Sequence, residues 1–467
     1  MIASLMSPPP SPFPSPSPSP SAYARRVDEL LDELARDAAT ADARTDNASH
    51  PAPVHVVYGG AHLYRAESPA KLAGVAREAM ETWGGDDVIF ARLMGLEDPG
   101  EELAAALARR VRDKLARDAV EKTCIDFEDG YGLRPDAEED AEAVRTAGEL
   151  ARADRPPAPI VGIRIKALAP PTVRRAARTL ELFITTLADR TRGELPTGFT
   201  VTLPKVTRAA EVSALADLLD LLEARLGFAG QSIGIELMVE TPRSLLGEDG
   251  RVALPSLVAA ARGRCVAAHL GAYDLTASLG VTAGAQRLDH PACDAARLIM
   301  QLALAGTGVE VVDGATTVLP VARYRSREAS DAPLTDAQRT ANTGEVRAAW
   351  ALHAAGVRRA LTVGIYQGWD LHPAQLPARY GAVYAFFLAE RAAMAARLHS
   401  FVAKATQATR SGQVFDDAAT GQGLLNFFAR GVGCGALGEE DVRATGLSLD
   451  ELRARSFARI VAVRSSP

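Results

Sequence analysis

Two carboxylates close two successive strand-like runs of this chain. Glu240 ends the run Ile233-Gly-Ile-Glu-Leu-Met-Val-Glu, and Asp274 follows the run Ala267-Ala-His-Leu-Gly-Ala-Tyr-Asp. They stand 34 positions apart (274 − 240), about the length of one strand-plus-helix unit in an eight-stranded barrel of ~250 residues. Adjacent strand ends of such a barrel sit side by side at its catalytic face. Two oxygen ligands with open positions left over suit a hard divalent cation, magnesium or manganese. A cation held that way can take the carboxylate and carbonyl of a 2-oxo acid and stabilise an enolate.

Other charged groups fall at neighbouring strand ends. Arg164 and Lys166 share one face of the stretch that begins at Ile160, with Ile163 and Ile165 on the other. With the isoleucines packed outward on helices, both cations point into the barrel mouth. A guanidinium there neutralises a developing enolate and grips a carboxylate through two parallel bonds. The alternative partner for Arg164 is Glu236. Lys166 faces either a further anionic group of the substrate or Glu128. The cluster Asp126-Phe-Glu-Asp129 puts three acids in four positions, with Asp126 and Glu128 on one face. Such acids hydrogen-bond the waters around a metal, or are solvated or bound by Arg134. Lys205 could form a Schiff base if its neighbours depressed its pKa; a salt bridge to Glu240 or Glu236 is the other reading. His372, in a turn before Pro373, is either a hydrogen-bond partner at the site or a turn residue.

The elements that must position these groups are legible in the alternation of the chain. Apolar, β-branched runs stand at 54–58, 123–127, 160–165, 199–203, 233–239, 265–270, 309–312 and 361–365. Ala/Leu/Arg-rich helical periodicity fills the intervals, for example over 137–153, 209–226 and 293–305, with two helices, 68–83 and 100–117, in the first. Strand and helix in regular alternation mean parallel strands with crossover helices. Eight units predict a closed (β/α)8 TIM barrel of the α/β class, with an open doubly wound sheet as the alternative. Residues 7–22 form a Pro/Ser tract in which proline removes backbone donors, so disordered polyproline-like chain is expected. Residues 23–46 fit an amphipathic helix. The domains read as 1–50, a disordered and helical extension; 51–395, the catalytic barrel; and 396–467, a C-terminal helical lid. That last part carries a long helix over 376–406 and short ones over 421–430 and 448–461.

Bulk properties narrow the function. The 467 residues carry a net charge of −6, which argues against an electrostatic nucleic-acid binder. The 47% hydrophobic and 24% charged contents permit a sizeable core. No stretch is apolar and long enough to span a membrane, and the N-terminus lacks the charged start of a signal peptide. The four cysteines lack pairing or metal-type spacing and read as small buried hydrophobes of a reducing, cytoplasmic compartment. A small oxo or hydroxy acid is the expected partner.

Six strand-end motifs, taken in order over roughly residues 54–425, resemble the HpcH/HpaI aldolase and citrate lyase β-subunit superfamily. They are Thr123-Cys-Ile-Asp-Phe-Glu-Asp, Gly162-Ile-Arg-Ile-Lys, Thr202-Leu-Pro-Lys-Val, Val239-Glu-Thr-Pro, Gly271-Ala-Tyr-Asp-Leu-Thr-Ala-Ser-Leu-Gly and Leu371-His-Pro-Ala-Gln. The resemblance implies a magnesium-dependent carbon–carbon lyase, acting on a small hydroxy or oxo acid or its CoA thioester. Glu240 and Asp274 would hold the metal and Arg164 would stabilise the enolate. Lys166, Lys205 and His372 would contact substrate. The proton would be moved by Asp129, Glu128 or Asp416, the last resembling a lid aspartate that reaches a neighbouring subunit, with Asp417 as its substitute. A homo-oligomer, trimer or hexamer, is implied with it. The chain departs from the pattern at Lys166, where the citrate lyase branch carries Asn or a small polar residue, and at Asp129, where the short aldolases carry a histidine base. The segment 319–348 and the long C-terminal part also have no counterpart in the short aldolases. A CoA-thioester hydrolase, a malate-synthase-like condensing enzyme and a non-catalytic barrel scaffold are the other readings of the same site.

Overall fold

The computed structural model describes residues 53–152, 160–325, 333–410 and 418–465, with Arg25 and Glu29 in helix. The Pro/Ser tract, most of the helix expected over 23–46, Asp416 and Asp417 lie outside the described residues. The chain divides into two compact units, 1–49 with 306–308, and 50–305 with 309–467. The barrel and the helices around it belong to the second unit.

Eight parallel strands close into a barrel in sequence order. They are β1 (His55–Gly60), β2 (Lys122–Asp126), β3 (Ile160–Arg164), β4 (Thr200–Leu203), β5 (Gly234–Val239), β6 (Cys265–Leu270), β7 (Glu310–Asp313) and β8 (Gln367–Asp370). β8 pairs back onto β1, with Val57 opposite Asp370 on one side and Thr123 on the other. The period-2 expectation for β3 holds. Ile163 and Ile165 pack outward in one apolar core with Leu180 and Phe183 of the helix Val173–Thr191. Arg164 is left facing inward.

Strand eight departs from expectation. Leu361 lies in the last turn of the long helix Asp336–Thr362, and Gly364 turns the chain with φ 80° before the strand begins. The strand itself, Gln-Gly-Trp-Asp, is short and polar, so no apolar run marks it. The segment 319–348 is no free insertion either. Its second half opens the helix that crosses from β7 to β8, started by a capping box between Thr335 and Gln338.

Among the described residues, the C-terminal helices pack away from the mouth of their own barrel, and the segment that carries the expected lid aspartate lies outside them. The helix Leu376–Arg410 runs unbroken through the 395/396 boundary. The helix Ala418–Gly433 then lays Phe427 on Phe387, ring centroids 5.1 Å apart. Its Arg430 meets Glu310, the first residue of β7, at 3.2 Å, and covers the Tyr366 ring at 5.2 Å. The first residue of a strand marks the end opposite the catalytic face. Apolar matching with the long helix thus draws these helices to the N-terminal end of the barrel. The expected helix over 448–461 is two helices, Leu449–Arg453 and Phe457–Ser465.

Candidate active site

The mouth is built from strand ends whose local sequence fixes each side chain. Asp126 ends β2 and turns its carboxylate back on the following loop, accepting from the Glu128 amide at 2.9 Å and the Gly130 amide at 2.7 Å. The same carboxylate takes Arg164 two-pronged, Nε to Oδ1 at 2.7 Å and Nη2 to Oδ2 at 2.5 Å. Arg164 also has Nη1 3.5 Å from Glu128, and its guanidinium lies 5.1 Å over the Tyr58 ring. After β4 the chain turns sharply at Lys205, a non-glycine residue with φ 52°. That turn aims the Lys205 amide at Glu240 Oε1, 2.6 Å away. Its ammonium meets Glu128 at 2.5 Å, Asp129 at 3.0 Å and Asp274 at 3.9 Å. Glu240 is held at the end of β5 because the next residues start a helical turn. Thr241 caps that turn by accepting from the Ser244 amide, anchors to Val206 O at 2.7 Å, and is followed by Pro242. Asp274 sits in the first turn of Ala272–Ser278, directly after β6.

Five carboxylates, Asp126, Glu128, Asp129, Glu240 and Asp274, thus share the mouth with two cations, Arg164 and Lys205. Burial sets the protonation of these groups more than their mutual charge does. Burial, and to a smaller extent the Asp274 charge, push Glu240 up to about 7 despite Lys205 and Arg164. Burial also raises Glu128, against Arg164 and Lys205, whereas the more exposed Asp129 is lowered by its bonds to Glu128 and Lys205. The Lys205 ammonium lies above the usual lysine range. Burial opposes its charge, but Glu128, Glu240 and Asp274 outweigh burial. A Schiff-base lysine needs the opposite shift.

The structure brings Glu128, Asp129, Arg164, Lys205, Glu240 and Asp274 together and holds Lys166 apart from them. Lys166 does not reach the mouth. It is buried against Glu139 of the helix Asp136–Ala151 at 2.7 Å and donates to Phe127 O at 2.7 Å and Gly132 O at 3.3 Å. Two hydrogen bonds and one ion pair tie the ammonium down, so the expected Glu128 or substrate contact gives way to a clamp beneath the loop after β2. His372 accepts from the Ala374 amide through Nδ1 at 3.2 Å, capping the turn Pro373–Gln375, so only its other nitrogen is free. Asp416 lies outside the described residues. Glu236 is the partner of neither Arg164 nor Lys205. It takes Lys122 and Thr202 deep inside the barrel, and Lys122 and His269 hold it below the usual carboxylate range against its burial.

Sequence reasoning missed four mouth residues. Tyr58, on β1, turns its hydroxyl to His269 Nδ1 on β6 at 3.3 Å. Trp369, on β8, packs on Tyr58 with centroids 4.8 Å apart and donates to Leu270 O at 3.2 Å. His62, just past β1, lies 5.8 Å from the Tyr131 ring, and its buried Nδ1 has no hydrogen-bond partner among the described residues. These residues sit in ordinary strand or turn context, where no local pattern marks them. The four cysteines are free and buried, and burial pushes the Cys265 thiol up to about 12, as expected of inert side chains.

The donor set fits a hard divalent cation. Glu240 and Asp274 offer carboxylate oxygens at adjacent strand ends with surplus negative charge around them. Gly271 leaves the space beside Glu240 open, since a Cβ there would stand 2.6 Å from Glu240 Oε2. Among the described residues no set of three or more His, Cys, Asp or Glu side chains converges in ligand geometry. A cation held by Glu240 and Asp274 alone would keep room for substrate and water.

No curated protein sequence matches the chain. Among solved structures, it is similar to a citrate lyase from Burkholderia xenovorans LB400, at 19% identity and TM-score 0.48, covering 73% of this chain and 92% of that one. It is also similar to malate synthase of Haloferax volcanii. The lead(II) complex gives 15% identity and TM-score 0.40, covering 71% of this chain and 73% of that one. The magnesium/glyoxylate complex gives 14% and 0.40, covering 90% and 99%. At these values the likenesses carry no weight for chemistry. One family model spans residues 34–460. The chain therefore belongs to that family, the domain of unknown function DUF6986.

Proposed function

We propose that this protein is a magnesium-dependent carbon–carbon lyase that cleaves or forms a small hydroxy acid, or its thioester, through an enolate. The observation that carries the reading is the convergence of Glu240, Asp274, Arg164 and Lys205 at one barrel mouth, with Glu240 anchored by the Lys205 amide at 2.6 Å. Glu240 and Asp274 would hold the cation. Bound there, it supplies Lewis-acid polarisation of a 2-oxo acid. The strand-end motifs that resemble the citrate lyase superfamily imply the same chemistry.

The chain's own groups account for the rest. Asp126 fixes the plane of the Arg164 guanidinium from one edge, so Nη1, which stands 3.5 Å from Glu128, is the group that would turn to an enolate or carboxylate oxygen. Positive charge preset where negative charge develops lowers the barrier without reorganisation. Cleavage requires the substrate hydroxyl to lose its proton as the carbon–carbon bond breaks and its electrons pass to the enolate. Glu128, raised by burial and touching both Arg164 and Lys205, is placed to carry that proton.

The test is calorimetry of magnesium or manganese binding in the presence of pyruvate, oxaloacetate or glyoxylate, on wild type, Glu240→Ala and Asp274→Ala. Binding that needs both carboxylates and tightens with the 2-oxo acid supports the reading. No metal binding by the wild type sinks it.

A further inference from the structure

The mouth is divided by charge. The strands β2 to β6 and their exits carry all the charged groups of the acid and cation cluster. The remaining arc, β7, β8 and β1, is different. The register places Val312 beside the inward His269, and Trp369 beside Val56. In parallel strands, bridge partners face the same side, so Val312 and Trp369 point into the barrel with Tyr58. The outward members of the same strands, Asp313 and Asp370, are bound to Arg297 and Arg379 in the helical layer. Among the described residues, the charges of Asp313 and Asp370 are thus held in the helical layer and Glu310 opens β7 at the far end of the barrel, while the Arg164 guanidinium reaches in over Tyr58.

Aliphatic side chains also stand at the rim, beside Arg325 of the β7 exit, whose charge acts on His372 of the β8 exit. The loops that leave β1, β7 and β8 carry Leu63, Val318, Leu319 and Leu371, which are 67%, 50%, 37% and 37% exposed. Four large aliphatic side chains on the exits of three adjacent strands are unusual where single exposed residues would be ordinary. Trp369 links this arc to the acid pair. Its indole N–H is fixed on Leu270 O, and the next residue, Gly271, is the one that leaves Glu240 its space.

We infer that this arc binds an uncharged apolar or aromatic tail of the substrate, with Trp369 as the specificity-determining residue. The acid handled here then carries a bulky apolar group beyond its hydroxy or oxo acid head. A second carboxylate set against Trp369 and the aliphatic side chains of the rim would lose hydration there, and the nearest guanidinium, Arg164, is already taken two-pronged by Asp126. An apolar group is favoured there by about 25 cal/mol for each Å² it buries. The inference rests on the enolate-site reading for the placement of the head.

The experiment is calorimetry of the manganese-loaded protein with pyruvate, phenylpyruvate and 2-oxoglutarate, repeated without metal, on wild type, Trp369→Ala and Trp369→Phe. The expected result is phenylpyruvate at least tenfold tighter than pyruvate, with 2-oxoglutarate no tighter than pyruvate. In Trp369→Ala the phenylpyruvate advantage falls to about onefold, and in Trp369→Phe most of it returns, which separates loss of stacking from misfolding. Metal-dependent pyruvate binding without a phenylpyruvate advantage overturns this inference and leaves the lyase reading standing. So does an advantage that survives Trp369→Ala. A Trp369-dependent advantage with no metal dependence supports the tail site and overturns the lyase reading. No binding of any of the three acids overturns both.

Discussion

The amide of Lys205 donates to Glu240 at 2.6 Å, while the ammonium of the same residue bridges Glu128 and Asp129 and stands 3.9 Å from Asp274. One residue therefore both orients one carboxylate through its backbone and supplies positive charge among three others through its side chain. The left-handed turn at φ 52° is what lets it do both.

Lys205→Gly separates these roles, because glycine adopts positive φ freely and keeps the amide in place. With the ammonium gone, a divalent cation no longer competes with it for Asp274. Manganese affinity should rise roughly tenfold, about 1.4 kcal/mol. Calorimetry without substrate reads this directly. A fall in affinity would mean that the ammonium supports the metal site and does not compete with it.

Gly271→Ala should damage the same site from the other side. A Cβ at position 271 would stand 2.3 Å from Glu240 Cβ, so Glu240 or its loop must move. Metal affinity should drop at least tenfold. Gly148→Ala is the control, since nothing lies within 4 Å of its Cβ position in the helix Asp136–Ala151. That change should leave metal binding intact and raise stability by about 0.5–1 kcal/mol.

The Arg164–Asp126 pair is buried, with side chains 5% and 2% exposed. Asp126→Asn removes the charge opposite a buried guanidinium and should cost about 3 kcal/mol of stability, seen as a lower thermal midpoint. Arg164→Lys keeps the charge but cannot grip Asp126 by two prongs. The lyase reading expects it to lose turnover by roughly 10²-fold, a size typical of losing one preset donor, with metal affinity nearly unchanged. Equal turnover in Arg164→Lys would remove Arg164 from the chemistry.

Stability should fall on mild acidification because of a histidine network outside the mouth. His353 lies 2.9 Å from Asp370 through Nε2 and 2.7 Å from Thr316 Oγ1 through Nδ1. Burial lowers the pKa of His353, and likewise of His55, from 6.5. The fold therefore prefers both rings neutral, and the unfolded chain binds more protons. The stability they contribute is complete above pH 6.5 and is lost as pH falls from there toward their folded values. Asp370 is also held below the usual carboxylate range, where Arg379 and His353 outweigh its burial, so its share is lost only at still lower pH. Thermal midpoints from pH 8 to 5 should show the decline, and His353→Gln should flatten it.

Much of this architecture was legible without coordinates. Seven of the strands announce themselves as apolar, β-branched runs, because a strand buried between a core and a helical layer needs apolar residues on its outer side. Ile163 and Ile165 against Arg164 is that rule in three residues. Strand eight escaped because Trp369 is the one large apolar residue among its four and is turned inward, while Asp370 is bound to Arg379.

What the sequence alone determined was the barrel, the order of its units and the acids and cations that end its strands. Those follow from local period and from chemistry that each residue carries with it. The choice of partner was decided only by tertiary structure. Lys166 turns to Glu139, Arg164 chooses Asp126 over Glu236, and Tyr58, His269 and Trp369 meet from β1, β6 and β8. The physical reason is closure. Period 2 says which side of a strand a residue faces, but which groups meet across the barrel depends on how eight strands tilt and stagger as they close.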